Sequence, residues 1–167
     1  MTAGLNYYAL EPVLVQRLID ACPSIHTVIS LPDLFAIYEN EQFANELNGK
    51  GRGGAAFVIF WDEQVAEARP DCDRANHTYV VAVVSKRHTK LRSGELARKD
   101  NGVLVDEVLQ ALRGWDYGPA LGTASGISQA RRRLLRVTSP VNRHQFPPDQ
   151  NGVVVTFLAY QALNLMT

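Results

Sequence analysis

The sequence predicts an α+β domain, a mixed and mostly antiparallel β-sheet flanked by helices, and three observations carry that prediction. Ala55–Trp61 and Tyr79–Val84 are apolar at even and odd positions alike, the pattern of strands covered on both faces. Asp100–Trp115 reads as a single amphipathic helix with both ends marked. Strands follow one another through hairpin-length links with helices inserted between them, an order that suits a mixed sheet better than a doubly wound parallel one.

The chain has 167 residues, enough for one domain with a proper core and too few for two, so residues 1–167 are expected to form one domain. Lysine plus arginine (17) equals aspartate plus glutamate (17), which leaves no net field to draw the protein to nucleic acid or to a membrane surface. Cys22 and Cys72 stand far apart in no paired spacing, as expected of reduced thiols rather than a disulfide framework. No basic stretch followed by an apolar core opens the sequence, and no apolar run approaches a membrane span, so a soluble, unexported protein is expected.

Taken in order, residues 11–22 predict a first helix, with Pro12 in its opening turn, Leu14, Leu18, Ile19 and Cys22 on one side, and Pro23 closing it. Ile25–Leu31 carries β-branched residues and stops at Pro32, which predicts a short strand. Asp33–Leu47 has a weaker helical pattern. Asn48–Gly54 holds four glycines and predicts a flexible turn into the strand at Ala55. Between the two central strands lies the polar segment Asp62–His77, either a plain loop or the outer half of a long hairpin projecting from the sheet.

Ser85–Lys99 is expected to be a charged link to the main helix. In that helix Val105, Val108, Leu109 and Leu112 share one face, widened by Leu104, Ala111 and Trp115, while Asp106, Glu107, Gln110 and Arg113 fall opposite. Asp100 and Asn101 are placed as caps of its first turn, and Gly114 suits the left-handed turn that ends it. Each large side chain of the stripe contributes about 1.5–3 kcal/mol when buried, so the helix needs a surface to lie on. Asp116–Gln129, with its glycines and Pro119, predicts irregular surface, and Leu134–Ser139 and Gly152–Tyr160 predict two further strands joined by a turn around 147–152.

No segment offers convincing chemistry. The glycine-lysine loop at 49–54 lacks the preceding strand, the following Ser or Thr and the helix of a phosphate cradle. Gly122–Gly126 lacks the strand and the serine position of a nucleophile elbow. His26, His77, His88 and His144 never fall at the one-turn spacing of helical metal pairs, and Cys72 with His77 is an isolated thiol-imidazole couple. Asp62, Glu63, Glu67, Asp71 and Asp73 lie in a stretch too polar to bury, which suits a solvated rim better than a general acid or a cation site. The expectation is therefore no catalytic residue, no metal and no cofactor.

Charge placement points instead to partners. Arg131, Arg132, Arg133 and Arg136, with the basic link that begins at Lys86 and Arg87, lack the alternating aromatics that stack bases. They face a complement of opposite sign in the acidic segment that begins at Asp62 and Glu63. Were the two surfaces on different sides of the fold, identical subunits would associate head to tail and close into a ring. The expected interface residues are Arg131, Arg132, Arg133, Lys86, Arg87, Asp62 and Glu63.

Taken together, Ala55–Ile59 followed by a polar hairpin, then Tyr79–Val84, then the Val103–Leu112 helix stopping at Gly114–Trp115, resemble the tail terminator proteins of long-tailed bacteriophages, especially the Mu-like relatives. The resemblance runs from the first helix to the final strand. Proline-rich sequence commonly follows the Gly-Trp pair in that family, and here only Pro119 answers to it. The resemblance implies a structural, non-enzymatic protein that forms a hexameric ring on the last layer of the tail tube, stops polymerisation, and presents the surface that meets the head-proximal connector or stopper. Its implied partners are copies of itself and the tail tube protein, with no membrane and no specific nucleic acid, although DNA would pass through the lumen. Its implied place is the head-proximal end of the virion tail, after assembly in the host bacterial cytoplasm. The alternatives are a head-tail joining or tail completion protein and, from another class, a small nucleic-acid-binding or hydrolytic domain; salt-sensitive retention of DNA would favour the latter.

Overall fold

The computed structural model describes residues 8–33, 52–71, 73–87, 93–122, 129–138 and 153–166. The expected weak helix at 33–47 lies outside them from residue 34 onward. Within them the chain runs α1 (Leu10–Ala21), β1 (Thr27–Leu31), β2 (Arg52–Ala68), β3 (Asp73–Arg87), α2 (Ser93–Leu112), α3 (Gly118–Leu121), a 3-10 turn (Gln129–Arg132), β4 (Leu135–Val137) and β5 (Val153–Met166). The strands form one sheet in the order β1-β2-β3-β5-β4. Only β1 and β2 are parallel; β2-β3, β3-β5 and β5-β4 are antiparallel, so the sheet is mixed and mostly antiparallel as predicted.

Strands that are apolar without alternation are buried on both faces. On one face Ala56, Val58, Tyr79, Val81, Val83 and Leu158 meet Leu14 and Leu18 of α1 and Val108 and Leu112 of α2. On the other, Phe57, Ile59, Val80, Ala82, Val84 and Phe157 form a second buried cluster. Helix α1 lies over β1 and β2, and α2 over β3 and β5. Leu10, Leu14 and Leu18 recur every fourth residue and set the buried stripe of α1. Ile19, expected on that stripe, is exposed, because the stripe centres on Leu14 and Leu18 and leaves Ile19 at its margin.

Helix α2 begins seven residues before the expected start. The run Glu95-Leu96-Ala97-Arg98-Lys99 consists of strong helix formers with no proline, so nothing stops the helix from extending back to Ser93. Asp100 and Asn101 are consequently interior residues rather than caps. Asn101 is buried, and its Nδ2 donates to Val83 O at 3.0 Å and Val154 O at 3.3 Å, while Thr156 Oγ1 donates to Asn101 Oδ1 at 2.5 Å. One amide thus pins α2 to β3 and β5 together, and rotates the buried stripe toward Leu104 and Ala111 with Val105 and Leu109 at its flank. The helix does end at Gly114, whose φ of 67° is left-handed. Arg17 of α1 reinforces that end: its Nε donates to Ala111 O at 3.0 Å, and its guanidinium lies 5.6 Å from the Trp115 ring centre.

Other boundaries move as well. Arg52–Gly54 belong to β2 rather than to a turn, and Gly54 sits where a Cβ would collide with the Leu104 side chain. Ser85–Arg87 complete β3 and Ser93–Lys99 open α2, so the expected charged link shrinks to 88–92, outside the described residues. The stretch after Trp115 is not merely surface, since Tyr117 is fully buried and donates through its hydroxyl to Arg131 O at 2.9 Å.

Candidate functional site

Of the two readings of the polar segment 62–77, the structure contains the long hairpin. β2 and β3 pair from Arg52↔Arg87 out to Ala68↔Asp73, with register shifts at Phe60/Asp62 and Val65/Glu67. Such bulges sharpen the twist and end the pattern of full burial, which lets polar residues occupy the outer half. β1 pairs with β2 only as far as Ile59, so among the described residues β2 is an edge strand beyond that point. β5 follows β3 outward to Met166. A third irregularity falls there: Asn164, at φ 54°, takes the left-handed region, and its N–H donates to Asn76 Oδ1 at 2.9 Å.

Along this hairpin the acidic groups divide by neighbour. Glu63 Oε2 lies 2.6 Å from His77 Nε2, and the buried His77 ring meets Phe60 edge to face at 5.2 Å. That pair ties the two strands of the hairpin to each other just beyond the first bulge. Glu67 is bonded to Arg69 at 2.8 Å and approaches Arg74 at 3.8 Å, on the exposed outer end. Asp62, directly before Glu63, pairs in register with Thr78.

The arginines divide in the same way. Arg132 Nη2 reaches Asp116 Oδ2 at 3.1 Å, and Asp116 Oδ1 accepts the Gly118 N–H at 2.8 Å, so this guanidinium is spent on fixing the turn before α3. Arg131, Arg133 and Arg136 are exposed. Lys86 and Arg87 end β3 in register with Gly53 and Arg52, at the opposite end of the strand from the acidic hairpin tip. The expected interface residues therefore fall into three groups: Arg131 in the 3-10 turn and Arg133 in a bridge to Asp116, both just before β4, Asp62 and Glu63 on the outer β2, and Lys86 and Arg87 at the far end of β3.

The strand order places the first two groups on opposite edges of the sheet. Asp62 pairs with Thr78, Thr78 with Gln161, and Gln161 with Leu135, so Asp62 shares one row four strands wide with the first residue of β4, which the arginines precede. Sequence spacing alone could not show this, because it depends on β5 entering between β3 and β4. Charge counting shows neither this placement nor the separation of the Arg131 group from Lys86 and Arg87.

Among the described residues little resembles a reaction centre. Among the described residues no group of three His, Cys, Asp or Glu side chains is placed to hold a metal ion. Burial pushes the Cys22 thiol up to about 11, with Glu107 adding to the shift and Arg17 opposing it, so its thiolate is scarce at neutral pH. Burial likewise raises Tyr117 and Tyr160 to about 12. A shallow groove between α1 and β1, lined in part by Tyr8, Pro12, Val15 and Ile29, contains Glu11, whose carboxyl is raised by desolvation. The glycine-lysine loop before Arg52, the 123–126 part of the possible nucleophile elbow, and Cys72, His88 and His144 lie outside the described residues. No helix among the described residues is long and apolar enough to cross a membrane.

Two comparisons complete the description. The sequence model of the family described as phage tail terminator protein matches residues 5–141. No curated protein matches the chain.

Proposed function

The chain belongs to the phage tail terminator family, and on that premise we propose that it acts as a closed ring of identical subunits, six by family resemblance, seated on the last layer of the tail tube. As a tail terminator it is a structural component of the bacteriophage virion tail. In this reading the ring blocks further addition of tube subunits, and its opposite surface receives the head-proximal connector or stopper. DNA passes through the lumen without sequence recognition. The ring assembles in the host cytoplasm, and the work requires interfaces rather than catalysis.

The observation that supports the ring is the placement of opposite charge on opposite edges of one sheet. A head-to-tail contact uses two different patches on each subunit, and rotation about an axis closes such contacts into a ring. Arg131 and Arg133 on one edge, and Asp62 with its acidic neighbours on the other, are two such patches. Native mass measurement of the purified protein tests it. The expected result is one species of fixed subunit number that falls toward monomer in the Arg131→Glu, Arg133→Glu double variant. A monomeric wild type contradicts the ring, and a ring indifferent to the double variant contradicts the part assigned to charge. Arg132 is left intact because its loss would break the turn it holds through Asp116.

A further inference from the structure

Resting on the ring reading above, we propose that the groove between α1 and β1 receives the β4 edge of a second copy of this chain, with Arg136 of that copy set against Glu11. Three observations carry this. First, β1 and β4 are the outermost strands of the sheet, and neither has a further strand beside it among the described residues. A strand in that position offers N–H and C=O groups to another chain. Second, both places expose apolar side chains. The groove has a volume of about 840 Å³ and is lined in part by Tyr8, Glu11, Pro12, Val15 and Ile29, with Tyr8 52% and Ile29 39% exposed. Leu135, the first residue of β4, is 46% exposed. Apolar surface gathered in this way and rimmed by polar groups marks a docking site. Third, each place holds the charge the other lacks. The Glu11 carboxyl has no cation and no hydrogen-bond donor among the described residues, and its apolar surroundings desolvate it. Such a group gains from a guanidinium brought to it. Around Leu135, Arg131, Arg133 and Arg136 are exposed, and of the four arginines at 131–136 only Arg132 is bonded to an acid among the described residues.

The register brings these groups to one level. Leu31 pairs with Ile59, Ile59 with Val80, Val80 with Ala159 and Ala159 with Val137, so the last residue of β1 and the last of β4 share one row across all five strands. Arg136 stands one row nearer the hairpin tip, in line with Tyr160, Tyr79 and Phe60. Paired residues share a face, so Arg136 lies on the face that carries α1 and α2. On that face Tyr8 meets Phe60 edge to face at 5.5 Å, and Glu11 N–H donates to Tyr8 O at 3.1 Å, which puts Glu11 in the turn of α1 that begins over the same row. When β4 of one copy comes alongside β1 of the next with Val137 beside Leu31, Arg136 therefore reaches the Glu11 end of the groove. Two different patches meet, as a head-to-tail ring requires. A groove facing its like on another copy would bring acid to acid and leave the arginines unpaired, which is why the occupant is the β4 edge.

A charge exchange tests the contact. Glu11→Arg and Arg136→Glu are made singly and together, and neither side chain has a bond within the subunit among the described residues for the change to break. By native mass measurement over a dilution series, each single variant is expected to dissociate at a concentration about tenfold or more above the wild type, because it sets like charges together, and the double variant to return toward wild type. Single variants that assemble like the wild type, or a double variant no better than the singles, overturn the proposal while the ring stands. A monomeric wild type overturns both. Crosslinking reads the same contact without altering charge. In a Cys72→Ser background, in which Cys22 stays buried, Ser30→Cys and Thr138→Cys are introduced together; both positions are exposed, and they come opposite one another when Val137 lies beside Leu31. A short bis-maleimide should give a ladder of covalent species rising to the full subunit number, with neither single-cysteine variant linking. No ladder in a protein of ring mass overturns the proposal, and so do dimers from Ser30→Cys alone, which would show two β1 edges meeting.

Discussion

At the scale of single residues, one amide and two phenols show how burial decides the sign of a substitution. Asn101 serves two strand carbonyls and Thr156, so Asn101→Ala leaves a buried hydroxyl without its acceptor and frees α2 from the sheet. Loss of about 2–3 kcal/mol is expected, and Asn101→Ala with Thr156→Val should cost less than the sum of the two, read by urea unfolding. Tyr117 and Tyr160 form a contrasting pair. The Tyr117 hydroxyl donates to Arg131 O, so Tyr117→Phe should cost about 1 kcal/mol. The buried Tyr160 hydroxyl has no partner among the described residues, so Tyr160→Phe should cost nothing or stabilise. Both phenols ionise ordinarily at 10.0 and are held up to about 12 in the fold, so the unfolded chain releases its protons first as pH rises. The contribution of the two phenols is therefore intact below 10 and lost from there toward 12, while that of Cys22 is lost earlier, from 9.0 to about 11. Thermal melts across that range should show the fall, and a shallower one in Tyr160→Phe.

At the scale of elements, hydrophobic pattern located nearly every strand and helix it had access to, and boundaries failed where one signal carried two meanings. Val58, Val81 and Val83 announced central strands because burial on both faces removes alternation. Asn101 misled because an Asn before an apolar run is a good cap, and only a sheet packed against it turns the same amide into an interior anchor. Gly54 misled because glycine marks flexibility and close approach alike; here it makes room for Leu104. Gly102 is the opposite case. It lies inside α2, exposed, with open space where a Cβ would go, so nothing compensates its backbone entropy. Gly102→Ala should stabilise the protein by about 0.5–1 kcal/mol, measured as a raised melting temperature with an unchanged far-ultraviolet spectrum.

At the scale of the whole molecule, charge and composition led to the expectation that interfaces rather than chemistry carry the function, and the residues that resembled a family pointed to which interfaces to seek. The geometry of those interfaces was not legible, because it arises from β5 threading between β3 and β4, a pairing made from residues far apart in sequence. That insertion sets two charged segments toward opposite edges of one sheet. It also separates Arg131 and Arg133 from Lys86 and Arg87, which charge counting had joined into one basic surface. Termination is the claim on which the rest depends, and tail length measures it most directly. Tails assembled in cells lacking this chain should be overlong and variable by electron microscopy, returning to uniform length when the chain is supplied; tails of normal, uniform length in its absence would contradict the account.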